Sequence, residues 1–287
     1  MATHSLLVQH IISYNYSLFL IQKEANTKTY KNNFVAFVPE FNDQMKSDYK
    51  MALLDSLSFD PSYLQLLSQP STKALAQKSA QLFKGISFLN ERSTKERFRT
   101  DAKNHKIIHI GTHAESNNVS PELSRLIFAK GSATSQSNDN YLYTYEIYDT
   151  DLSSNLAILT ACETGKPTYQ SGEGMISLAH AFNYAGSESI LTSLWKIDEK
   201  SSAAIISLFY EYIDKGWAKD KALQQAKLDY IKTAEGRTVH PQYWAGLVLI
   251  GDTSPIQFSS SRNYLLWILV VLTIALVWYT LRKKPLG

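Results

Sequence analysis

The chain has 287 residues, 44% hydrophobic and 19% charged, a balance that excludes a wholly disordered protein and allows one sizeable core with an appendage. Its 29 basic and 26 acidic residues leave a net charge of +3, all of it accounted for by Arg282, Lys283 and Lys284, so the body lacks the basic face that a nucleic-acid partner requires. The only cysteine is Cys162, which excludes an internal disulfide and any multi-cysteine metal site; with no H-E-x-x-H motif and no clustered acidic ligands, neither a metal nor another cofactor is expected.

Residues 6–21 form an apolar, uncapped stretch with no preceding strand to pack on, the pattern expected of a domain whose first part is missing. Short apolar runs then predict strands at 34–38, 107–111, 126–129, 156–160, 189–194 and 243–250. Ser93-Thr94-Lys95-Glu96 has the S-x-x-E form of a capping box and predicts a helix over 94–103 that feeds the second of these strands. GSATSQSNDN at 131–140 is polar and turn-forming, and predicts an exposed loop. Met175, Leu178, Ala179 and Phe182 recur at helical spacing within 173–185, with Gly186 placed to end that helix. Two more helices are predicted. The first, 199–214, carries Ala204, Ile205, Leu208, Phe209 and Tyr212 on one face; the second, 218–232, carries Ala222, Leu223 and Ala226. Strands alternating with helices define an α/β domain over 1–252, a mostly parallel sheet flanked by helices on both faces.

A linker at 253–263 leads to residues 264–281, 18 residues without a charge. At roughly 1.5 Å per residue these reach about 27 Å, enough for one transmembrane helix across the core of a lipid bilayer. Trp267, Trp278 and Tyr279 stand near its ends as interfacial aromatics do, and the basic tail 282–287 follows. The tail's charge places it in the cytoplasm and the body outside, yet the first 25 residues carry no basic region of the kind that opens a signal peptide. Two arrangements satisfy this: a tail anchor with the body in the cytoplasm, or an export signal on a part upstream.

The strand at 107–111 delivers His113 beyond its carboxyl end, and the strand at 156–160 delivers Cys162 in the same way. That edge of an open α/β sheet is where catalytic groups gather. A lone cysteine after an apolar strand is most simply buried filler. Paired with a histidine 49 residues upstream it reads differently, since caspases place their histidine about 50 residues before an Ala-Cys nucleophile followed closely by glycine, here Gly165. A free thiol is mostly protonated at neutral pH, and an imidazole that takes the proton creates the nucleophilic thiolate. The oxyanion then requires main-chain donors, for which the N–H groups of Cys162 and Ala114 are the candidates. The other histidines fit less well: His109 is mid-strand, His180 falls in a helix, and His4, His10, His105 and His240 lack a strand-end setting.

HIGTHA at 109–114 and LTACETG at 159–165 resemble the histidine and nucleophile motifs of the CHAT domain family, a caspase-like module associated with tetratricopeptide repeats and related to caspases, separase and gingipains. YTYEIYDTDLS at 143–153, GEGMISLAHAFNYAGSESILTSLWKID at 172–198 and HPQYWAGLVLIGD at 240–252 are similar to further family segments. The resemblance covers 13–252, without the family's first strands or its repeat domain. It implies a caspase-like fold and a cysteine endopeptidase acting on a protein or peptide substrate, under the control of a tetratricopeptide-repeat or other regulatory protein; with the helix at 264–281 the expected enzyme is membrane-anchored. It also implies cleavage after basic residues, with Asp198 as the substrate-binding acid of the first specificity pocket. Asp198 equally stands where the N-cap of helix 199–214 belongs. In the competing reading the fold is a non-catalytic interaction module and the thiol is incidental.

Overall fold

The computed structural model describes residues 6–16, 30–52, 60–117, 119–130, 140–160, 162–163, 173–258, 270–274 and 278, with Cys162, Glu163 and 173–177 described by their backbone. The chain divides into two compact units, Met1–Ile256 and Gln257–Gly287. In the first, six strands form a sheet: β1 (Asn32–Val38), β2 (Ile86–Leu89), β3 (His105–Ile110), β7 (Leu156–Leu159), β9 (Ser189–Ser193) and β10 (Leu247–Gly251), in the order β10-β9-β7-β3-β1-β2. Every pairing is parallel except that of β10 with β9. A smaller sheet holds β4 (His113–Glu115), β5 (Arg125–Ile127), β6 (Tyr141–Tyr143) and β8 (Cys162–Glu163), in the order β6-β5-β4-β8.

The helices are α1 (Leu6–Gln9), α2 (Asp43–Ala52), α3 (Pro61–Gln65), α4 (Pro70–Leu82), α5 (Lys95–Asp101), α6 (Thr144–Tyr148), α7 (Glu173–Tyr184), α8 (Glu199–Asp214) and α9 (Lys219–Thr233). They cover both faces of the six-stranded sheet. Alternate residues of β1 divide between the two layers: Phe34 packs on Phe83 and on Tyr210 of α8, and Phe37 packs on Phe98 of α5. With both faces covered, β3 and β7 are buried along their whole length, which is why β7 reads as a continuous apolar run and β3 as one interrupted by His109 after its polar start at His105 and Lys106.

Several expectations shift. Thr94 rather than Ser93 caps α5, its hydroxyl accepting the Arg97 N–H at 3.1 Å. The run at 107–111 stops at Ile110, and the run at 126–129 becomes β5 of the second sheet. The run at 243–250 begins as strand at Leu247, because Pro241–Tyr243 is a short 3-10 turn capped by His240. The amino-terminal stretch is not left without a strand: Tyr14 N–H donates to the Leu249 carbonyl and Gly251 N–H to the Tyr14 carbonyl, both at 2.9 Å, covering the outer edge of β10. β2, α2 and α4 were not anticipated.

Most of the expected transmembrane helix, and all but Asn140 of the loop at 131–140, lie outside the described residues. Within 264–281 the described residues, 270–274 and 278, are helical and exposed. Among the described residues no helix is long and apolar enough to cross a membrane.

Candidate active site

Neighbouring strands β3 and β7 run parallel, with Ile107 opposite Leu156 and Ile110 opposite Leu159. Beyond them the chain crosses from the large sheet to the small one. Gly111 marks the crossing: a Cβ there would fall 2.4 Å from Thr72 Cγ2 and 3.0 Å from Val38 Cγ2, so only glycine lets β3 end against the start of α4. Thr112 then donates its hydroxyl to the Ile127 carbonyl, fixing the entry to β4. Neither His113 nor Cys162 therefore belongs to the strand that predicted it. Each lies in a short second strand, and these strands pair with each other in parallel, His113 opposite Cys162 and Ala114 opposite Glu163. Adjacent strands lie about 4.8 Å apart, which puts the two positions within reach of an imidazole and a thiol.

On its other side β4 pairs with β5, His113 opposite Ile127 and Glu115 opposite Arg125. Arg125 bonds Glu115 at 2.6 and 2.7 Å and lays its guanidinium 3.7 Å from the centre of the Tyr141 ring. The histidine is thus carried by the middle of a braced ribbon and not by a free loop.

His113 is 4% exposed. Its Nε2 lies 2.7 Å from the main-chain carbonyl of Leu67. A carbonyl oxygen can only accept, so Nε2 carries the proton, and the neutral ring presents Nδ1 as a bare acceptor. That Nδ1 is buried and makes no hydrogen bond among the described residues. Phe41 packs against the ring with centroids 5.3 Å apart. The loop that supplies the Leu67 carbonyl is itself held, by Gln69 N–H to the Glu40 carbonyl at 3.0 Å and by a Lys73–Glu40 ion pair at 2.6 Å. Burial pushes the His113 pKa below its ordinary value; the Leu67 carbonyl opposes this, while Lys196 and Lys46 add to it. The outcome is a neutral imidazole with one fixed tautomer, the state a proton acceptor requires.

Ala114 is buried between β5 and β8, and the main chain of Cys162 runs beside it. Asp198 caps α8: one carboxylate oxygen accepts the Ser201 N–H at 2.9 Å and its hydroxyl at 2.7 Å. His109 lies apart from this site, packed with Phe34 and Tyr210 on the α8 face of the large sheet. Thr160 donates to the Ile110 carbonyl and so accepts from His109 Nε2–H, which leaves His109 Nδ1 to accept the Tyr210 hydroxyl at 2.7 Å. Burial pushes the His109 pKa down to about 3. Among the described residues no group of three or more His, Cys, Asp or Glu side chains could hold a metal ion. The Leu67 carbonyl, the Phe41 ring and Lys46 were not anticipated, and a main-chain carbonyl leaves no mark in the residue letters.

The family model described as CHAT domain matches residues 3–252. Among curated proteins, human tetratricopeptide repeat protein 28 is 28% identical over 116 residues, and its mouse counterpart 27% over 118 residues. Each match takes in 40% of this chain and 5% of the relative, so the chain spans about one twentieth of their length. Among solved structures, the Arg-specific cysteine proteinase gingipain R is similar at 11% identity and a TM-score of 0.48, over 80% of this chain and 48% of that one. The Saccharomyces cerevisiae separase–securin complex is similar at 13% identity and a TM-score of 0.44, over 84% of this chain and 13% of that one.

Proposed function

Because the chain belongs to the CHAT domain family, we propose that it is a cysteine endopeptidase with Cys162 as nucleophile and His113 as its general base and acid. The observation that carries this reading is the direct pairing of His113 with Cys162 across β4 and β8, with a buried His113 Nδ1 that makes no hydrogen bond among the described residues. In the reaction Nδ1 takes the thiol proton and the thiolate sulfur bonds the peptide carbonyl carbon. The resulting oxyanion is held by the main-chain N–H groups of Cys162 and Ala114. The C–N bond then breaks as Nδ1 returns its proton to the leaving amine, and a thioester remains. Water, deprotonated by the same Nδ1, cleaves the thioester and restores the thiol.

Asp198 caps α8 through Oδ1, which accepts both bonds from Ser201, and its Oδ2 is the oxygen that would meet a basic side chain in the specificity pocket. The uncharged residues 264–281 tether the protein to a bilayer. A tetratricopeptide-repeat protein is the proposed regulatory partner, in keeping with the repeat proteins to which the chain is related. A peptide-library cleavage assay tests the central claim. Cys162→Ala should lower turnover on the order of 10³-fold or more while the melting temperature stays put. Equal cleavage by that variant would reject the peptidase reading and leave an interaction module.

A further inference from the structure

The hydrogen bond from His113 Nε2 to the Leu67 carbonyl leaves one freedom of the ring open. The outer torsion of a histidine side chain is broad, and Nε2 lies nearer to its axis than Nδ1 does. Rotation about that axis therefore swings Nδ1 off line while the Nε2 bond persists. A second contact, on the flat of the ring, is needed to hold the plane.

Phe41 supplies that contact. Its ring lies 5.3 Å from the His113 ring at 40°, within the range in which aromatic pairs attract. Tyr63 packs edge-to-face on Phe41 at 5.5 Å, and Phe41, Tyr49, Tyr63, Leu66 and Ile127 form a buried cluster of their own. Two members of that cluster bear on His113 by other routes: Leu66 precedes the carbonyl that takes Nε2–H, and Ile127 stands opposite His113 across β4 and β5.

The backbone at Phe41 is strained. Among the described residues five non-glycine positions have a positive φ, Phe41, Lys84, Asn90, Asn104 and Ser153, and of these only Phe41 is aromatic and fully buried. Its φ of 54° is left-handed, a conformation that crowds Cβ against the following carbonyl and that suits glycine or asparagine better than a bulky side chain. Both neighbours hold it there. The Glu40 carbonyl accepts the Gln69 N–H at 3.0 Å while its carboxylate pairs with Lys73 at 2.6 Å, and the Asn42 side chain accepts the Met45 N–H at 2.9 Å at the start of α2. Strain kept at a buried aromatic residue beside a reacting group points to a task for the ring.

We propose that Phe41 is a positioning residue of the peptidase: its left-handed backbone aims a ring at the face of His113 and so keeps Nδ1 directed at the Cys162 thiol. This rests on the cysteine-peptidase reading and adds a second support to the His113 ring beside the Leu67 carbonyl.

Phe41→Gly and Phe41→Ala test it in the full chain, because both remove the ring and only glycine relieves the backbone. The glycine variant should melt above the alanine variant, whereas both should lose kcat about equally, at least tenfold, with KM on one peptide substrate within about twofold of the natural protein's. Turnover that recovers with stability, so that the glycine variant approaches the natural protein, overturns the proposal and spares the peptidase reading. Phe41→Leu keeps the apolar bulk and carries the test should the two smaller variants fail to fold. It should lose kcat as they do, and a natural kcat in this variant overturns the proposal, since bulk without a flat ring would then suffice. A further measurement requires no turnover: alkylation of Cys162 by iodoacetamide at neutral pH should slow several-fold in each folded variant, and an unchanged rate overturns the proposal. Cleavage that survives Cys162→Ala overturns both the proposal and the peptidase reading.

Discussion

His109 and His113 are four residues apart and have opposite fates, decided by what each ring nitrogen meets. Both nitrogens of His109 are satisfied, by Thr160 and Tyr210, in a fully buried layer. His113 has one nitrogen anchored and one that makes no hydrogen bond among the described residues. A pH dependence follows for His109. Its folded pKa of about 3 lies below the ordinary value of 6.5, so the unfolded chain binds a proton that the folded one refuses. That stability is fully present above pH 6.5 and is lost as pH falls towards 3. At about 1.36 kcal/mol per pH unit, the folded state should lose about 3 kcal/mol between pH 7 and pH 4.5. Urea midpoints at the two pH values measure the loss, and His109→Gln should flatten it. An equally steep loss in that variant would place the acid sensitivity elsewhere.

At the scale of elements, the crossing from the large sheet to the small one sets the site. β3 and β7 are legible as apolar runs because both of their faces are covered; β4 and β8 are too short to show a period. The edge strand β2 is four residues long and half-exposed, and α2 carries few buried apolar residues, so neither leaves a strong pattern. The tightest joint in this region is Gly111 against Thr72 of α4, both buried. Gly111→Ala should cost about 1–3 kcal/mol, since two β-branched side chains in a packed layer must move to admit the methyl group. A denaturation midpoint unchanged from the natural protein would show that the layer relaxes freely. Because the same joint leads directly into β4, turnover in this variant should fall further than stability alone explains.

At the scale of the molecule, the body and residues 257–287 are separate compact units, and the role proposed for the second is tethering. Alkaline carbonate extraction decides it: the full chain should stay with the membranes, and a chain ended at residue 263 should leave them. Release of both would end the tether.

Local pattern was enough to read the α/β class, the spans of α8 and α9 to within a residue, and the two positions where chemistry is expected, because each is written in consecutive apolar runs and short motifs. The register of His113 against Cys162 and the proton state set by the Leu67 carbonyl belong to the tertiary structure alone. They are relations between main chain and side chains brought together from distant parts of the sequence, and residue order along one segment carries no record of them.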